Sequence, residues 1–94
     1  MSPKPNQDAA RAVAIMALAF LAADDDRLGR FMAWTGLGAD EVRAAPSDPA
    51  LLGGVLDYLL AHEALLVEFA DHAGMAPEEP ARARQALPGY MPPM

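Results

Sequence analysis

Few side chains in this 94-residue chain can do covalent or acid–base chemistry. The serine and threonine hydroxyls are Ser2, Thr35 and Ser47, the one lysine is Lys4, and the histidines are His62 and His72. There is no cysteine, which excludes thiolate catalysis, disulfide staples and zinc fingers. A nucleophile needs a positioned base and an oxyanion site. Ser2 stands near the terminus, Ser47 beside turn prolines and Thr35 one residue before a helix-ending glycine, none with such company. His62-Glu63 begins like a zinc-protease motif, but Leu66 occupies the place of the second histidine. His72 follows Glu68 by four residues, the spacing of a surface ion pair along one helix. The run Asp24-Asp25-Asp26 offers oxygens to a hard cation but lacks the alternation, central glycine and final glutamate of a calcium loop. Helix capping accounts for it better. Glu78 and Glu79 read as first-turn acids, and Gly36-Leu37-Gly38 lacks the third glycine and preceding strand of a phosphate loop. The expectation is a non-enzyme with no catalytic residue, cofactor or metal.

What remains is binding. Trp34 lies off the apolar stripe of its helix, four residues after Arg30. It either roofs the core with an arginine stacked on it or anchors a partner, since exposed Trp and Arg are enriched at interfaces. Gly53 and Gly54 beside Tyr58 offer a second surface where a helix can dock closely. Arg27, Arg30, Trp34 and Tyr58 are therefore the candidate partner-binding residues. The stretch from Arg27 to Arg43 also has the outline of a helix-turn-helix, the alternative reading. Against it, Asp40 and Glu41 stand where a recognition helix would face phosphate.

These residues must be carried by helices, because the apolar residues recur at helical spacing and no segment alternates as a strand would. A first helix spans about Gln7 to Ala23. Val13, Met16, Ala17, Phe20 and Leu21 lie on one side and Ile15, Leu18 and Ala22 on the other, so burial all round is expected. The aspartate run opens a second helix, with Leu28, Phe31, Met32 and Thr35 inward and Arg27 and Arg30 outward. Gly36 ends it and Leu37 supplies the apolar contact that follows such a cap. A short third helix begins at Ala39 and ends before Pro46. Asp48-Pro49 starts a fourth, striped by Leu52, Val55, Leu56 and Leu59. Leu52, Leu59, Leu66 and Ala73 keep a seven-residue spacing that permits one long helix, but His62-Glu63 interrupts the stripe and favours a break. A fifth helix then carries Leu65, Leu66, Phe69 and Ala70 to Gly74. Pro77 opens a last helix that Pro88-Gly89 stops.

Composition narrows the class. At 53% apolar and 21% charged residues this is one small domain, and a chain of this length buries only about 64% of its unfolded surface, which raises the expectation of self-association. The net charge of −6 argues against nucleic acid or anionic membrane as the main partner. It is uneven: residues 1–47 carry five basic and six acidic groups, net −1, and residues 48–94 two and seven, net −5. Ala12 to Ala23 is a run of twelve apolar residues that imitates a signal peptide, yet Asp8, Pro3 and Pro5 sit in its supposed basic region. It is too short to span a bilayer, which needs about 20 residues. The expected place is the cytoplasm.

Taken in order, Ala17-Leu18-Ala19-Phe20-Leu21-Ala22, Arg27-Leu28-Gly29-Arg30-Phe31, Thr35-Gly36-Leu37, Val42-Arg43 and Asp48-Pro49 form a recognisable series. Leu56-Asp57-Tyr58-Leu59-Leu60, Glu63-Ala64-Leu65-Leu66 and Ala86-Leu87-Pro88-Gly89 continue it. Over about residues 12 to 89 the chain resembles a family of short alphaproteobacterial proteins known as domain of unknown function 3572. Gly38 and His62 depart from the pattern, where aspartate is the more usual N-cap. The resemblance implies no activity and no catalytic residue. The sequence therefore predicts an all-α protein, a compact bundle of five to six short helices around a buried N-terminal helix. Residues 7–89 form the domain, with flexible tails at 1–6 and 90–94. Its expected role is a protein–protein interaction or self-associating module, with an unknown protein or a second copy, as a homodimer, for partner.

Overall fold

In a computed structural model the described residues are 7–45 and 48–87, and they form six helices. These are α1 (Gln7–Ala22), α2 (Asp25–Thr35), α3 (Ala39–Ala44), α4 (Pro49–Ala61), α5 (Glu63–Ala73) and α6 (Glu78–Ala86). The expectations for the two tails, for Ser2, Lys4 and Ser47, and for Pro88-Gly89 as a helix stop fall outside the described residues.

Local chemistry sets the boundaries. Asp24 is the N-cap of α2, its carboxylate accepting from the backbone N–H groups of Asp26 and Arg27 at 2.9 and 3.3 Å. That satisfies two donors which a helix start leaves without partners. Gly36 closes α2 at φ 77°, a left-handed value that a Cβ would strain, and its N–H returns to the Met32 carbonyl. Gly74 does the same for α5 at φ 70°. Asp48 caps α4 through the Ala50 N–H at 3.3 Å, with Pro49 at the first helical position.

The question of one long helix or two is resolved at His62: α4 and α5 meet there at 112°. The backbone N–H of His62 turns to the Leu59 carbonyl, and its ring Nδ1 donates to the Tyr58 carbonyl at 2.7 Å. The imidazole thus fills the acceptor that its own amide would have served in a continuing helix. No single helix among the described residues is long and apolar enough to cross a membrane; the bent α4–α5 pair has the composition only when taken together.

Helices α1 and α4 form the centre. α1 packs against α6, α4, α2 and α5, and α4 against α1, α6, α5 and α2. Leu52, Val55, Leu56 and Leu59 of α4 are fully buried with Leu21, Phe31 and Phe69 around them, each worth roughly 1.5–3 kcal/mol of burial. The Cα radius of gyration, 12.7 Å, is close to the ~12.4 Å expected of a folded chain this long.

Three local expectations are corrected. Burial of α1 all round fails: Ala10, Ala14, Ala17, Leu18, Phe20 and Leu21 face the core, but Ile15 and Met16 are 43% and 44% exposed. The neighbouring helices cover α1 on one side only, and from Ala12 on its outer side carries no polar residue that would mark it as exposed. Arg27 is half-buried rather than outward, its guanidinium 4.3 Å above the Phe20 ring and 3.1 Å from Glu68. Glu68 therefore serves Arg27, and His72 lies against Phe20 instead, ring centres 5.3 Å apart.

Candidate functional site

Two turns of α2, the last turn of α4 and the first turn of α5 enclose an open groove of about 540 Å³. Its lining includes Arg27, Arg30, Trp34, Tyr58, His62 and Glu63. All four candidate residues from the sequence are thus brought to one place, although Tyr58 lies 24 positions from Trp34 in the chain.

Helical spacing explains the convergence. Phe31 and Trp34 are three residues apart and share a side of α2. Phe31 points into the core, its ring edge-on to Tyr58 at 5.4 Å, and Trp34 meets the same tyrosine edge-on at 5.4 Å from the groove side. Tyr58 and His62 stand four apart at the end of α4, with rings 4.4 Å apart. Trp34 also meets His62 edge-on at 6.1 Å. Such aromatic contacts contribute about 0.5–1.5 kcal/mol each. Tyr58 is buried, whereas Trp34 keeps 50% of its surface exposed. The tryptophan is therefore held in place by rings on one side and open on the other.

The charged rim is asymmetric. Arg27 is fixed by Phe20 and Glu68. Arg30 makes an i,i+4 pair with Asp26 at 3.1 Å, both side chains about three-quarters exposed. The anticipated stacking of an arginine on Trp34 is replaced by that of Arg27 on Phe20, one turn further back. Glu63 lines the groove from the start of α5. Sequence reasoning missed His62 and Glu63 as parts of the groove. The signal was present in the Tyr58-to-His62 spacing, once the helix break is placed between 61 and 63.

The other candidate surface resolves differently. Gly53 admits a side chain, not a helix backbone: a Cβ there would lie 3.2 Å from Cζ of Arg84. Arg84, buried at the α4–α6 contact, donates from Nε to Asp57 at 2.7 Å. Gly54 has no neighbour within 4 Å of the same position.

For chemistry, the groove offers aromatic faces, one loosely paired guanidinium and, with its Nδ1 proton engaged, the Nε2 of His62 as an acceptor. Thr35, the nearest hydroxyl in sequence, donates to the Phe31 and Met32 carbonyls and accepts from the Leu37 N–H. It is occupied in closing α2. Among the described residues, no group of three or more acidic or histidine side chains is arranged to hold a metal ion.

A family model described as "Protein of unknown function (DUF3572)" matches residues 7–90, the whole of the described fold. No curated protein and no solved structure matches the chain.

Proposed function

We propose, from the premise that this chain belongs to the DUF3572 family of proteins of unknown function, that it is a non-enzymatic protein-interaction module acting in the cytoplasm. Its docking surface is the groove between α2 and the α4–α5 joint. One observation carries the reading: Trp34, the only tryptophan, is half exposed yet braced edge-on by Tyr58 and His62. A braced aromatic loses little conformational freedom on binding, which is why Trp anchors so many interfaces.

The partner that fits is a protein segment with an apolar side chain for Trp34 and a carboxylate for Arg30. The Arg30–Asp26 pair contributes only about 0.3–0.5 kcal/mol, so Arg30 exchanges Asp26 for a partner's acid at little cost. Support for the cytoplasm is physical: cleavage near Ala19 would remove Ala10, Ala14 and Ala17 from the core. The nucleic-acid alternative is the weaker proposal, since Arg27 is committed to Phe20 and Glu68 and α3 begins with exposed Asp40 and Glu41.

The test is capture of a partner from native cells by the wild-type chain, then titration of that purified partner against Trp34→Ala. Binding weakened at least tenfold, with the fold retained by circular dichroism, supports the groove. Because Trp34 is the sole tryptophan, its emission should shift to the blue as the partner covers it. Undiminished binding by Trp34→Ala, with no emission change in the wild type, overturns it.

A further inference from the structure

The outward side of α1 is a second surface, separate from the groove. At 100° per residue, Asp8, Arg11, Ala12, Ile15, Met16, Ala19 and Ala22 fall within an arc of roughly 140° that faces away from the core, Asp8 being already engaged within its own chain. From Ala12 to the end of the helix this arc carries no polar side chain. Ile15 and Met16 are among the four large apolar residues exposed in the described fold. Beside them, Met16, Ala19 and Phe20 of α1 and Phe69 and His72 of α5 line a groove of about 390 Å³.

We infer that this face is the interface of a two-fold dimer in which α1 packs antiparallel against α1 of a second copy. Two features select a second copy as the occupant. The first is shape. A two-fold axis level with Ala17 sets Ile15 of each chain opposite Ala19 of the other, a large residue into the space left by a small one, and Ala12 opposite Ala22, two small residues that let the helices approach. The second is charge. Arg11 lies about 9 Å along the helix from that axis, and the Ala23–Asp24 junction lies about 9 Å on the other side. Each Arg11 therefore comes level with the partner's acidic run. Within that run Asp24 caps α2 and Asp26 pairs with Arg30, while Asp25 is engaged by no ion pair among the described residues. Both ends of the contact gain the same opposite-charge pair, as two-fold symmetry requires. Contact through one helix and its rim is at the small end of specific interfaces, so the dimer is expected to dissociate in the micromolar range.

Sedimentation equilibrium of the full chain between about 1 and 1,000 μM tests this. The expected mass rises with concentration toward about 20 kDa, twice the 9.9 kDa of the chain. Ile15→Glu, at an exposed position, should weaken dimerisation at least tenfold while leaving the thermal midpoint of the monomer unchanged. Arg11→Asp alone and Asp25→Arg alone should each weaken it severalfold, and the double variant should recover most of the loss. That recovery is not explained by misfolding. A 9.9 kDa species at every concentration, a dimer indifferent to Ile15→Glu, or charge variants without rescue would each overturn the assignment. Flotation with neutral phosphatidylcholine vesicles, lost in Ile15→Glu, would assign the face to lipid and overturn it also. None of these readouts involves Trp34, so they are independent of the groove.

Discussion

Arg84 and Arg30 each pair with an aspartate, at 2.7 and 3.1 Å, and the two pairs serve opposite ends. Arg84 is 7% exposed, wedged between α6 and the glycine surface of α4. Arg30 is 74% exposed on the outer turn of α2. A buried guanidinium has exchanged water for one geometry and holds two helices in register; an exposed one keeps its water and its freedom. The same residue types thus build the fold at one site and remain available for recognition at the other. Burial, not distance, separates the two roles.

The largest expected effect comes from breaking the buried pair. Asp57→Ala takes from the buried Arg84 the carboxylate that ties it to α4, and urea unfolding should show a loss of about 2–3 kcal/mol. Arg84→Met should cost less, about 1 kcal/mol or below, because Asp57 is 46% exposed and can be hydrated once abandoned. Equal losses from the two variants would mean that the pair is not the fixed junction described. Next in size is a contrast between neighbouring glycines. Gly54→Ala meets open space and should stabilise by about 0.5–1 kcal/mol through helix propensity. Gly53→Ala pushes a methyl to 3.2 Å from the Arg84 guanidinium, so that gain should be cancelled or reversed. A gap of about 1 kcal/mol or more between two adjacent, chemically identical substitutions would locate the close approach.

Much of the fold was legible because its determinants are local. Asp24, Gly36, Asp48-Pro49 and Gly74 mark helix ends by chemistry that needs no knowledge of the rest of the chain. The four-residue stripe of α4 is fully buried, as its spacing implied. Long-range pairing was not legible. Nothing within α2 says that Arg27 will meet Phe20 and Glu68 instead of solvent, and nothing around Gly53 says that its neighbour will be Arg84. Local pattern also misread α1. Its outer face is apolar enough to look buried, and only the packing shows that Ile15 and Met16 stay outside. The groove lies between these cases: Trp34 and the arginines stood out by type and spacing, while His62 and Glu63 join them only through the bend.

A smaller effect on stability, with a large one on binding, is expected at Trp34. Its half-exposed ring meets Tyr58 and His62 from one side, so Trp34→Ala should lower stability by about 1 kcal/mol. A loss of 3 kcal/mol or more on thermal denaturation would make it a core residue and withdraw it from the groove's binding surface.

The smallest stability effect belongs to Arg30, and it completes the contrast with Arg84. Removing one end of an exposed i,i+4 pair changes stability by no more than about 0.5 kcal/mol, so Arg30→Ala should unfold with the wild type. Asp26 has a second role in the first turn of α2, where a carboxylate favours the helix. Asp26→Asn should therefore cost a few tenths of a kcal/mol while releasing Arg30. The two variants then diverge on the purified partner. Arg30→Ala should weaken binding severalfold and flatten its dependence on salt, whereas Asp26→Asn should leave binding unchanged or tighten it, because Arg30 no longer has to leave one carboxylate for another. If both weaken binding equally, the intact pair is the recognised feature and Arg30 is as structural as Arg84.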